Sequence, residues 1–272
     1  MGPDLLKAGL ISFAALAALA LPANAEICAG LRDGPRGRVS AVTDGDTVHL
    51  DNGLIVRLVG MQAPKLALGR PGLEDWPLGE TARDALSELV LGRSVLLRYG
   101  GSERDRYGRV LAQMFLGEGA EAVWVQGAMV ASGWARVYAY ADNRACLAPL
   151  LKAEGQARAA GLGIWRDPFY GVMRAEKVRS FEGHEGRYDL VEGRVLAAEK
   201  VRGLVYLNFG RLYKEDFTVV IGERALPLFA ESGYDPLALA DALVRVRGWI
   251  DEKDGPRIEV THPDQIEVLA IR

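Results

Sequence analysis

The stretch Val42-Thr43-Asp44-Gly45-Asp46-Thr47-Val48-His49-Leu50-Asp51 sets two carboxylates on either side of one glycine, with a threonine next and apolar residues alternating outward. Gly45 reaches φ > 0 without a Cβ clash, so a turn is expected there. Asp44 and Asp46 are then held at a strand end or hairpin shoulder. Oxygen ligands grouped this tightly suit a hard cation such as Ca²⁺. A plain Asp-Gly turn between two strands accounts for the same residues without any metal.

Outward from that stretch, residues 37–42, 47–50 and 54–59 alternate as three strands of a meander, and Asp51-Asn52-Gly53 is a hairpin signal between the last two. Residues 66–77 form a loop rich in Gly and Pro. Residues 79–90 carry helical spacing through Ala82, Ala85, Leu86 and Leu89, with Gly92 placed as a C-cap. Residues 94–99 and 110–115 read as a hairpin around the turn 105–109. Helices are expected at 124–132, ending at Gly133, and at 148–160, closed by Gly161. The order β-β-β-α-β-β-α-α fits a five-stranded OB barrel with appended helices, in a chain that is mainly β with α.

Four motifs stand in that frame: Asp44-Gly45-Asp46-Thr47; Arg57-Leu58-Val59-Gly60-Met61-Gln62-Ala63-Pro64-Lys65; Asp105-Arg106-Tyr107-Gly108-Arg109; and Gly161-Leu162-Gly163-Ile164-Trp165. Their order and spacing resemble the staphylococcal nuclease (thermonuclease) family over residues 37–168. That family carries D-G-D-T, then R-L-x-x-x-D-T-P-E, then D-x-Y-G-R. The resemblance implies that Asp46 matches a Ca²⁺ ligand and that Arg57 and Arg109 match two phosphate-gripping arginines. In the family the Asp-Thr of D-T-P-E completes the metal site, and its Glu activates the attacking water. Here those positions read Gln62-Ala63-Pro64-Lys65. A carboxylate ligand has become a neutral amide and the base has become a cation. Affinity for a hard cation follows the number of charged ligands, so a Ca²⁺ site here is degraded. An ammonium is no base near neutral pH unless burial lowers its pKa substantially. Glu74 and Asp75, downstream in the loop, are substitute ligands or bases on one reading and an exposed acidic pair on the other.

Residues 1–25 hold one lysine, an apolar run and Ala23-Asn24-Ala25, an A-x-A pattern, and read as a secretory signal peptide. The run is shorter than the roughly 18 residues of a spanning helix, so no stable membrane span is expected in the mature form; a retained anchor is the alternative. An exported chain, periplasmic or secreted, meets an oxidising compartment. Its two cysteines, Cys28 and Cys146, then suggest one disulfide, the alternative being two unpaired buried thiols.

Length and an apolar content of 49% leave room for two cores, and a net charge of −3 excludes a general nucleic-acid-coating protein. A linker at 169–187 leads to a second domain at 188–270. Val191-Glu192-Gly193-Arg194-Val195, Tyr206-Leu207-Asn208-Phe209-Gly210, Arg245-Val246-Arg247-Gly248 and His262-Pro263-Asp264-Gln265-Ile266-Glu267-Val268 resemble the small OB-like nucleic-acid-binding modules attached to bacterial nucleases. Tyr206, Phe209 and Tyr213 would stack bases there, and Arg245 and Arg247 would meet phosphate, unless these strand positions are core.

Three functions fit. One is an exported nuclease-like protein that binds single-stranded DNA, RNA or another phosphodiester polymer at a degenerate site. The second is an active metal-dependent phosphodiesterase with a rearranged site. The third is an envelope protein-interaction module without nucleic-acid binding, since fold alone does not decide function.

Overall fold

The computed structural model describes Cys28 and residues 30–212 and 214–271. The expected signal peptide and Tyr213 lie outside the described residues. Among the described residues, no helix is long and apolar enough to cross a membrane.

The first half contains β1 (Arg32–Asp44), β2 (Thr47–Leu50), β3 (Ile55–Leu58), β4 (Gly60–Gln62), α1 (Gly79–Val90), β5 (Ser94–Tyr99), β6 (Val110–Leu116), β7 (Val123–Trp124), α2 (Val125–Ala131), β8 (Arg136–Tyr138) and α3 (Leu147–Ala159). Strand order is β3-β2-β1-β5-β6-β7, and a parallel β3–β6 pairing closes five of these strands into a barrel. Alternation places Val39, Val48, Val56, Leu58, Leu97, Ala112 and Met114 in one core, roofed by Ala82, Leu86 and Val90 of α1. Gly92 and Gly161 adopt φ of 71° and 59° just beyond α1 and α3, as C-cap glycines do.

Gly45 is needed for a different reason from the one its turn suggested. It does not adopt a positive φ. A Cβ there would instead meet the Ala63 Cβ at 2.5 Å and the Ala82 Cβ at 3.2 Å. The Asp44–Asp46 shoulder therefore packs directly against the loop entry at Ala63 and against α1.

Cys28 and Cys146 form the expected disulfide, with Cα atoms 4.9 Å apart. It links the segment before β1 to the start of α3. Closing a loop with a sequence separation of 118 is worth about 4–5 kcal/mol in the chain-entropy account.

The second half contains β9 (Met173–Arg174), β10 (Tyr188–Arg194), β11 (Ala197–Val201), β12 (Leu204–Asn208), β13 (Thr218–Ile221), α4 (Leu226–Glu231), β14 (Leu243–Glu252), β15 (Pro256–Val260) and β16 (Ile266–Ala270). These strands form one curled sheet in the order β11-β12-β13-β15-β14-β10-β9, with β16 on β14. It wraps its own core of Val191, Val205, Leu207, Phe217, Val219, Val244, Val246 and Ile258. A 3₁₀ turn (Pro236–Leu239) leads into β14.

The halves meet along β8, α3, β10 and β14. Val246 and Ile250 of β14 face the second core, so Arg245, Arg247 and Trp249 face the other way. Arg247 is buried and reaches across the boundary to both carboxylate oxygens of Glu154, at 3.1 and 2.8 Å. Glu154 also accepts the Val137 N–H at 2.7 Å, while the Val137 carbonyl accepts from Arg247 and from the Tyr188 hydroxyl. A second buried pair, Arg136–Asp189 at 3.3 Å, lies beside it.

Burial pushes the Glu154 carboxyl up, but the Arg247 charge and hydrogen bonds and the Val137 N–H outweigh that and hold it below its ordinary value. Because its folded pKa is depressed, its contribution to stability is complete above the unfolded value of about 4.3 and is lost as pH falls through the folded value. Glu154→Gln should cost about 3–5 kcal/mol in urea unfolding at pH 7, because Arg247 keeps its charge without its main partner. The wild-type advantage over Glu154→Gln should shrink as the denaturation series is moved to pH 3.

Candidate functional site

Asp46 follows the β1 end and lies almost wholly inside the protein, 4% exposed. Its backbone N–H donates to Asp44 Oδ1 at 3.1 Å, which fixes the shoulder. Its own carboxylate is surrounded by donors. Oδ1 faces the Arg57 guanidinium at 3.1 Å and accepts from the Thr47 hydroxyl at 3.2 Å. Oδ2 accepts the Ala63 N–H at 3.0 Å, and the Gln62 amide approaches it at 3.5 Å. Burial pushes the Asp46 carboxyl up, against the opposing Arg57 charge, to about 7.

Arg57, on β3 between β2 and β6, is 4% exposed. Its guanidinium donates to the carbonyls of Leu58 at 2.7 Å and Met61 at 2.9 Å as well as pairing with Asp46. It is thus built into the wall of the site and braces the chain from β3 to β4. Arg109 differs. Its backbone N–H and Nε both donate to Asp105, at 2.9 and 2.7 Å, which aims the guanidinium from a tight turn whose Gly108 has φ 81°. The side chain is part-exposed, and among the described residues its two terminal nitrogens make no hydrogen bond. Tyr140 joins the group: burial raises its phenol, against the charges of Arg57 and Arg109 beside it.

Gln62 closes β4, which pairs with β8 through Gln62↔Arg136 and Gly60↔Tyr138. Lys65 follows at the loop entry. Its carbonyl accepts the Trp76 N–H at 2.8 Å, pinning the far end of the loop. Asp75 is exposed and accepts the Ala67 N–H at 2.6 Å, so it holds the loop's own fold, and Glu74 is exposed.

These residues do not fit the family's Ca²⁺ arrangement. Both Asp46 oxygens already face protein donors, the next carboxylate is Asp44 alone, and Gln62 presents its amide N–H₂ toward Asp46. A hard cation needs several oxygen ligands. Among the described residues, no group of three or more Asp, Glu, His or Cys side chains is placed to hold a metal.

The second-half residues expected to meet nucleic acid divide. Phe209 is core, against Phe217 with ring centroids 5.1 Å apart, and presents no face for a base. Arg247 is sealed in the inter-half pair with Glu154 and Glu267, so it reaches no phosphate. Arg245 sits between Glu192 at 3.0 Å and Glu267 at 3.4 Å, and its charge is neutralised. Tyr206 is half-exposed on the outer face of β12, three places from β14 in the sheet order. The aromatic residues that do gather at the nuclease-like site were not foreseen. Trp249 stands on the same face of β14 as Arg247, and its Nε1 is 3.3 Å from the Tyr138 hydroxyl. Period-two reading places Trp249 opposite Val246 and Ile250, which was the available signal.

The family model for staphylococcal nuclease homologues matches residues 55–167. The match takes in Arg57, Gln62, Lys65 and Arg109, while Asp46 precedes it. Protein ParB of Escherichia coli is 34% identical over 165 residues, 57% of this chain and 82% of that protein. An uncharacterized endonuclease of Escherichia coli is 34% identical over 134 residues, 48% of this chain and 77% of that protein. A thermonuclease of Staphylococcus hyicus is 29% identical over 131 residues, 47% of this chain and 74% of that protein. With the closed five-stranded barrel and the motif order, these matches place the chain in the staphylococcal nuclease homologue family.

Proposed function

We propose that this protein binds a phosphodiester polymer, single-stranded DNA or RNA, at its nuclease-like face and does not cut it by metal-assisted water attack. The observation that carries this reading is the state of Asp46. Its two oxygens accept from Arg57, Thr47 and Ala63, and an ammonium, Lys65, stands where a water-activating carboxylate would be needed. In-line attack on phosphorus requires a base for the water and stabilisation of charge on the transition state. The first is lacking at this position. The second is present as a positive field from Arg57, Arg109 and Lys65. That field suits holding a phosphate, and Arg109 offers uncommitted donors for bidentate contact.

Export to the periplasm or medium belongs to the same proposal. It is supported by the apolar segment with its A-x-A pattern and by the Cys28–Cys146 pairing, which persists in oxidising compartments. A second reading, a working endonuclease, draws on the printed names of the relatives, an endonuclease and a thermonuclease.

Cleavage of single-stranded DNA and RNA by the purified protein, in Ca²⁺, in Mg²⁺ and in EDTA, separates the two. Binding without metal-dependent cleavage is expected; metal-dependent cutting that Arg109→Ala abolishes would establish the second reading. Loss of a general base costs on the order of 10²–10⁴ in rate. Joint replacement by Gln62→Asp, Ala63→Thr and Lys65→Glu should therefore raise Ca²⁺-dependent cleavage, and no gain would count against the assigned correspondence of these positions. Arg109→Ala should weaken oligonucleotide binding by about tenfold, as expected for a lost charge-assisted contact.

A further inference from the structure

Lys65 faces two indoles that come from opposite halves of the chain. Its Nζ lies 4.2 Å from the ring centroid of Trp249, on β14, and 5.5 Å from that of Trp76, at the end of the loop. Both tryptophans are half-buried. Among the described residues, the Lys65 ammonium makes no hydrogen bond and no ion pair with a carboxylate. The charges that act on it are unbalanced: Asp46 on one side, and Arg57, Arg70 and Arg136 on the other. Burial lowers its pKa, Asp46 raises it, and the three arginines lower it again. The location holds surplus positive charge against an aromatic face.

Trp249 is held rigidly. Its Nε1 points to the Tyr138 hydroxyl, and its ring meets Tyr138 and Tyr188 edge-on, with centroids 6.2 and 5.6 Å apart. Tyr188 is anchored in turn to the Val137 carbonyl. The half-buried indole thus has the Lys65 ammonium over its ring and tyrosines at its edges. An ammonium over an aromatic face and a base stacked on that face use the same surface. An ammonium displaced by a base regains its partner in the adjoining phosphate.

We propose that Trp249 is a base-stacking platform of the nucleic-acid site, so that the second half of the chain supplies part of that site. An unpaired base of a single strand stacks on the indole face now covered by Lys65, and Lys65 swings to the neighbouring phosphate. The ligand is single-stranded because a paired base inside a helix has both faces covered. This inference rests on the binding reading above and adds to it the residue that recognises bases.

The test uses the purified protein with three probes: an oligothymidylate, a duplex of equal length and inorganic polyphosphate, which has the charge without the bases. Trp249→Leu should weaken oligothymidylate binding about 5- to 160-fold, the range for loss of one stacked base, and leave polyphosphate binding unchanged. Trp249→Phe should recover part of the loss. Lys65→Ala should weaken both single-chain probes. Thermal melts check that each variant is folded. Oligothymidylate should quench the tryptophan fluorescence of the wild type more than that of Trp249→Phe, which reads the contact even if Trp249→Leu fails to fold. Equal losses for oligothymidylate and polyphosphate would assign Trp249 a supporting role and overturn the proposal. Binding that falls with Arg109→Ala but not with Trp249→Leu would overturn the proposal while leaving the binding reading intact. No oligonucleotide binding by the wild type would overturn the binding reading and this inference with it.

Discussion

Glu154 has its carboxylate sealed between two cores, where it meets the Arg247 guanidinium at both oxygens and the Val137 N–H at one of them. The placement of Trp249 beside Lys65 goes with that contact, since Trp249 and Arg247 share one face of β14. A buried charge pair is costly to desolvate, and further hydrogen bonds to its lone pairs and protons offset that cost. Here Val137, Tyr188 and Glu267 supply partners for the two terminal nitrogens of Arg247 and for the groups around Glu154, while the buried Arg247 Nε has no hydrogen-bond partner among the described residues. These contacts hold β14 against β8. Two residues beyond Arg247, on the same strand face, stands Trp249. One residue before Tyr138, on β8, stands Val137. The strand that carries the pair joining the halves therefore also sets an indole of one half beside Lys65 of the other.

The first half was legible because its signals are local. Turn residues, alternation and helix punctuation gave β1 to β3, α1, β5, β6, α2 and α3 within a residue or two, apart from the early start of β1. The short strands β4, β7 and β8 were missed, since two or three residues carry no period. The inter-half contact was missed for another reason. Val-Arg-Val-Arg reads as a strand with one solvated face, and nothing within the strand says that the charged face meets a partner. The signal lay elsewhere: Leu147, Leu150, Glu154 and Ala157 share one helical face, and all four are buried. A carboxylate on an inward stripe needs a buried cation. Gly45 was read correctly as special, but its reason, the approach of Ala63 and Ala82, is tertiary and has no local signature.

In the proposed reading, Gln62, Lys65 and the second half of the chain make sense together as a balance of charge. A cluster of carboxylates around a cation is neutralised by that cation. With Gln62 and Lys65 in place, Asp46 is, among the described residues, the buried acid beside Arg57, and it turns to Arg57 and to the Ala63 N–H. The surplus positive charge then needs something other than a carboxylate. The negative faces of Trp249 and Trp76 meet that need without neutralising it. A carboxylate partner would have tied Lys65 into a permanent pair; an aromatic partner leaves its three donors for an incoming oxygen. In the proposed reading, Gln62 and Lys65 withhold a water-activating carboxylate and leave positive charge beside an aromatic face, the two properties a single strand requires. On that reading the second half of the chain contributes through Trp249, whose ring lies against the Lys65 ammonium.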